Sequence, residues 1–428
     1  MPLPLLDIQD SNLQLWQGTE ALSSPGYALL EGQSYAFGQA ARAAARLQPR
    51  SINTRFWWQL STEALQPALG PARHTADLVH AHLKDIHAKA GEPTELLLAV
   101  PGSASREQLA LLLGIVQQCP FNAGGLVHRS VALGSSFAGS GPLYHLEIQL
   151  HQALLTELSR DAGEVALSRS TPLPGCGLLQ LQERLVEIIA AAFIRQTRFD
   201  PRRKAESEQQ LYDALPAALA SLQTGPEAFI EIGGYRTRTT ADELRDAGTR
   251  LFSALADSPI KAEGAEVIVD PLCGLLPGLL QALPAASSVL PADALFSAVQ
   301  AAGERLVQRA EALSLVTRLP LADAPIAPVT PPPPPAEAPA AAPLPTPASH
   351  VLIGHQARPL QPDGLVLAPD CEIYQHGKGW YLRGAASRDA RVNDAPAADQ
   401  ALGLGDSIAL PGGEQALLIE VATDHGQT

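Results

Sequence analysis

Side chains able to do chemistry collect at a few places in this chain. Near the N-terminus an apolar stretch ends in Asp7 and runs into the polar turn Gln9-Asp10-Ser11-Asn12. By itself that pattern is a plain β-turn after a short strand. His145 and His151 share one alternating stretch, where an imidazole could serve as a general base. The alternation of Leu146, Ile148 and Leu150 with Glu147, Gln149 and His151 reads instead as a half-exposed antiparallel strand with structural histidines. The basic run Arg202-Arg203-Lys204 precedes Glu208 at a solvated helix start. Trp57 and Trp58 are adjacent, which suits packing of one element or a partner-binding hot spot. Cys119, Cys176, Cys273 and Cys371 show neither zinc spacing nor a disulfide framework and read as buried thiols.

The elements that must position these groups are legible in the hydrophobic pattern. Residues 3–8 form a strand, with residues 14–16 returning as its hairpin partner. Residues 96–100 form a second strand, ending in Val100-Pro101 and feeding a helix that carries Leu109, Leu112, Leu113 and Val116 on one face. Residues 125–127 are another strand, and 131–137 a small-residue helix suited to close packing. Helices are predicted over 75–90, 178–195, 205–222, 240–256 and 294–313. Further strands are predicted at 143–151, 165–173 and 266–270, and a hairpin turns at Gly233-Gly234.

The chain has 428 residues, 46% of them hydrophobic, enough for two or three domains. A net charge of -14 argues against a nucleic-acid backbone as partner. No stretch reaches about 18 uninterrupted apolar residues and the N-terminus has no secretory pattern, so a cytoplasmic protein without membrane contact is expected. Residues 319–349 turn to proline and alanine, with prolines uninterrupted over 331–335, which predicts a semi-rigid polyproline spacer.

The order strand, Val-Pro, helix, strand, small-residue helix over 96–137 resembles the first lobe of the heat-shock protein 70 chaperones, members of the actin superfamily. The resemblance implies an α/β fold of two ribonuclease H-like lobes, at 1–158 and 159–318. It implies a first phosphate hairpin at Asp7 to Asn12 and a second at 143–151. A catalytic lysine would come from the segment holding Trp57 and Trp58, where this chain has none. Asp7, Ser11, Asn12, Arg202, Lys204, Glu208 and Gly274 fall where that family binds nucleotide, so they are the candidate cofactor-binding residues of a residual cleft. The family's glycines are mostly replaced, as by Gln9 and by His145 at the second hairpin's aspartate position. No catalytic residue or metal ligand is therefore assigned and no cofactor is expected; the alternative is ATP with magnesium, Asp7 being the magnesium-side acid.

Residues 350–424 are short strands separated by turns and resemble a forkhead-associated β-sandwich. The match rests on Ile353-Gly354-His355, Gly379-Trp380-Tyr381-Leu382, Arg391-Val392-Asn393 and Leu404-Gly405-Asp406-Ser407-Ile408. Its phosphothreonine ligands are altered: His355 replaces arginine, and Asp370 would repel phosphate. His355, Arg391 and Asn393 are the candidate partner-binding residues. The expectation is a non-hydrolysing pseudo-ATPase scaffold that binds protein partners through both parts. The alternatives are an ATP-binding chaperone with weak ATPase and a phosphopeptide-reading adaptor.

Overall fold

The computed structural model describes residues 3–137, 139, 141–262, 264–284, 286–309, 312–321, 348–353, 356–361, 363–376, 379–384, 390–393, 395–396, 401–410 and 415–420. The chain divides into two compact units, Met1–Pro331 and Pro332–Thr428. The first is a mixed α/β unit and the second consists of strands.

In the first unit, strands β1 (Leu5–Asp7), β2 (Leu13–Gln17) and β3 (Glu20–Ser24) form an antiparallel meander. A small sheet follows, made of β4 (Ala28–Glu31), β5 (Ser34–Phe37) and β6 (Ile52–Asn53), with helix α1 (Gln39–Ala43) between the last two. After helix α2 (Thr75–Lys89), strand β7 (Glu95–Val100) lies parallel to β1. Helix α3 (Arg106–Val116) then leads to strand β8 (Asn122–His128), parallel to β7. The start of α3 is set by a capping box in which Ser105 and Gln108 satisfy each other's backbone amides. Helix α4 (Arg129–Gly134) begins directly at the end of β8.

The same plan then repeats. Strands β9 (Leu143–Ile148), β10 (Gln152–Asp161) and β11 (Glu164–Pro174) form a second meander. Helices α5 (Leu178–Thr197) and α6 (Ala205–Thr224) and a hairpin of β12 (Glu227–Ile232) and β13 (Tyr235–Thr240) come next, followed by β14 (Glu266–Val269), parallel to β9, and β15 (Ser287–Val289), parallel to β14. The first large sheet runs β3-β2-β1-β7-β8 and the second β11-β10-β9-β14-β15, each in its own half of the unit. Near residue 317 the chain ties the two together: Leu315–Val316 adds to β8, and Arg318–Pro320 adds to β11. Leu319, where the spacer was expected to begin, is 3% exposed in that last strand. The expected lobe boundary at 158/159 falls inside β10.

Between the sheets, α4 packs against helix 294–302, and Trp16 stacks on Phe296 at 5.3 Å. On its other side α4 approaches the second meander closely: a Cβ on Gly134 would lie 2.5 Å from Leu158 of β10. Two expected helices are shorter than their periodicity suggested. Residues 240–256 break into Ala241–Leu244, a 3-10 turn at Arg245–Gly248 and Thr249–Ala256. The closing helix ends at Ala302, because Gly303 takes φ 54°.

In the second unit the strands form a six-stranded and a three-stranded sheet around Val351, Ile373, Trp380, Ile408 and Leu418. Trp380 anchors this core by donating its indole N–H to the Ala348 carbonyl at 3.1 Å.

Candidate functional site

The two meanders meet at a buried ionic centre. Asp7 ends β1, His145 and Glu147 lie on β9, Asp270 follows β14, and Arg129 opens α4. Arg129 Nε donates to Asp7 Oδ1 and Oδ2 at 2.9 and 3.1 Å. Its Nη1 donates to Glu147 Oε2 at 3.0 Å and to Asp270 Oδ2 at 2.7 Å. Gln9 Nε2 adds a bond to Asp270 Oδ2 at 2.9 Å. His145 Nε2 lies 3.0 Å from Asp270 Oδ1, so that nitrogen carries hydrogen, and Nδ1 lies 2.8 Å from the Ser130 hydroxyl. Gln149 Nε2 binds the other Glu147 oxygen at 3.0 Å.

One guanidinium thus serves three carboxylates, and the titration behaviour follows from this imbalance. Burial pushes Asp7 up to about 6, against the lowering pull of Arg129 and with help from Asp270 and Glu147. Burial also opposes ionisation of Asp270, but the charge of Arg129 and then the His145 contact outweigh it and hold this carboxyl well below the usual range. For Arg129, burial is outweighed by the carboxylates of Asp270, Asp7 and Glu147, which keep it firmly charged.

The turns of the two meanders also touch. Asp10 Oδ1 accepts from the Leu150 amide at 2.8 Å, and burial raises its carboxyl to about 7, with Glu147 adding to the rise. The first amides of α5 donate to the same turn, Leu178 to Gln149 O at 2.8 Å and Leu179 to Leu150 O at 3.1 Å. A Cβ on Gly177 would come within 2.3 Å of His151 backbone, so glycine is needed there for close approach.

Of the expected cleft residues, only Asp7 belongs to this centre. Ser11 is buried with its hydroxyl unpartnered, and Asn12 accepts from the Ser23 hydroxyl. Arg202 turns to Asp200, Lys204 is exposed ahead of α6, and Glu208 lies 3.8 Å from Arg46. Gly274 follows Asp270 closely, but a Cβ there would meet Val289 at 2.7 Å, so its role is packing. The expectation of a half-exposed strand at 143–151 is overturned for β9: all six of its residues are buried. It lies between β10 and β14 with both faces covered, so its polar alternation faces a charged interior instead of water. Arg129, Glu147 and Asp270 were missed as site residues. The available signal was a lone arginine opening a helix of small residues, and a carboxylate on a strand flanked by two others.

His145, Glu147 and Asp270 present ligand atoms within 4.8 Å of one another, a set that could hold a metal ion. The donors fit a cation poorly as they stand, because Arg129 Nη1 already bonds two of the three. His145 and Glu147 are 0% exposed and Asp7 and Asp270 2%, so a substrate has no access to these atoms. Chemically the arrangement is a closed bolt joining β1, α4, β9 and the end of β14.

In the second unit, Asn393 is exposed and makes internal hydrogen bonds. Its Nδ2 donates to Asp406 Oδ1 at 2.8 Å, and its Oδ1 accepts from the Ser407 amide at 3.0 Å. With φ 51°, it is held as a turn residue. Arg391 is exposed on its strand. His355 and Gly354 lie outside the described residues.

The fold and centre define a mixed α/β protein with two similarly ordered sheets closed on a buried ionic cluster. Comparison with protein-family models finds no match, and comparison with curated proteins finds none. Among the described residues, no helix is long and apolar enough to cross a membrane.

Proposed function

We propose that Met1–Pro331 is a two-lobed scaffold of the actin and heat-shock protein 70 type that binds partner proteins without hydrolysing nucleotide. The C-terminal strands then act as a forkhead-associated-like docking sandwich. The observation that carries this reading is the position of Arg129. Phosphoryl transfer needs a metal and phosphates between two hairpin turns, with donors aimed at developing charge. Here a guanidinium fills the space between Asp7, Glu147 and Asp270, and Asp10 bonds Leu150 directly across the turns. The repeated strand order supports the two-lobed part of the reading. Four free cysteines support a reducing, cytoplasmic setting.

The test is calorimetry of the full-length protein with ATP and magnesium, run beside a phosphate-release assay. Neither binding heat nor turnover is expected; micromolar binding with measurable turnover sinks the proposal. Affinity purification of the tagged full chain then identifies the partner.

A further inference from the structure

Beside the ionic centre, Asp10 lies at the polar end of a separate cavity of about 60 Å³. Trp57, Trp58 and Leu109 line it, together with the polar residues Ser103, Gln108 and Gln149. Asp10 is 7% exposed and accepts from backbone amides, those of Leu150 and Ser11. The charged group acting on it is Glu147, which has the same sign. Among the described residues no ion pair reaches Asp10, and a cavity lined by two tryptophans beside a buried carboxyl favours a cation. The cage is firmly built. Trp57 Nε1 donates to His82 Nδ1 at 3.0 Å, and Trp58 stacks on His151 at 5.0 Å while its carbonyl accepts from Gln108 at 3.1 Å.

We propose that this cavity binds the head of an alkylammonium ion, with Asp10 as counter-ion and the indoles of Trp57 and Trp58 as the walls of the cage. With a water's liquid share at about 30 Å³, the enclosed space holds roughly two or three heavy atoms, the leading methyls of a trimethylammonium head whose remainder lies toward the exposed Trp58. Trimethylation suits it better than a primary ammonium, which needs three acceptors. Here Ser103 already accepts from Gln149, and apart from Gln108 the remaining lining residues are apolar. The head could belong to a free small molecule or to a methylated lysine of a protein. The inference does not rest on the scaffold role, since it concerns a different cavity and a different ligand.

The test is calorimetric titration of the full chain with choline chloride, matched against sodium chloride and against 3,3-dimethylbutan-1-ol, the uncharged carbon isostere of choline. Saturable binding of choline is expected, with the alcohol at least about tenfold weaker. Asp10→Asn, which keeps the oxygen that accepts from Leu150, and Trp58→Ala, at a side chain 39% exposed, should each weaken choline by about tenfold or more. A trimethyllysine peptide binding more tightly than choline assigns the head to a protein; choline binding more tightly assigns it to a small molecule, and either outcome supports the cage. Equal binding of the alcohol, unchanged binding by Asp10→Asn, or no saturable heat overturns it.

Discussion

Arg129 is the residue on which the two sheets depend most. Removing its charge leaves three buried carboxylates without their cation, so Arg129→Met should cost about 3–5 kcal/mol in urea unfolding. A loss below about 1 kcal/mol would show that the centre is not a fastening. Asp10 behaves in the opposite sense. Its folded pKa is raised from 3.8 to about 7, so between those values the folded chain holds more protons than the unfolded one. Its contribution is fully present below about pH 4 and is lost as pH rises through 7. Asp10→Asn should therefore stabilise the protein at pH 8 by roughly 2–4 kcal/mol and flatten the pH dependence between 4 and 7. His82 shows the reverse sign. Burial holds its pKa near 3, so the stability it permits is present above pH 6.5 and falls away as the solution is acidified.

At the scale of elements, much was legible. The strand ending in Val100-Pro101, the helix behind it, the α5 and α6 pair and the hairpin at Gly233-Gly234 form where apolar period and turn residues placed them, while the small-residue helix expected over 131–137 forms at Arg129–Gly134. Burial of β9 was not legible, because alternation marks two different faces and not which of them meets water. Its polar face meets Arg129 from α4 and Asp270, which lies 125 residues from His145. The junction of α5 with the β9–β10 turn is a further test. Gly177 has ordinary dihedrals, so any penalty there is steric: Gly177→Ala should cost about 1–3 kcal/mol by pushing His151 and Gln152 away. An unchanged thermal midpoint would contradict the close approach.

Across the first unit, a second fastening joins the end of α1 and the segment after it to α6. The Arg46 amide donates to Gln209 Oε1 at 2.8 Å, Gln209 Nε2 donates to Arg42 O at 3.2 Å, and the Arg46 guanidinium lies 3.8 Å from the Tyr212 ring centroid. Gln209→Ala should speed amide hydrogen exchange at Arg46 by about tenfold while leaving α5 protected. Equal exchange in both proteins would mean that the two halves are held elsewhere.

The breaks within 240–256 and at Gly303 were not legible in the chain, but most local pieces were, including the strands of the C-terminal part. These follow from backbone sterics and hydrophobic period, which act over a few residues. That Asp7, Arg129, Glu147 and Asp270 share one dry centre, and that Asp10, Trp57 and Trp58 line one cavity, follows from tertiary packing alone. Sequence periodicity can assign a charged residue to a face. The energetic consequence of that face depends on distant partners and on the water they exclude.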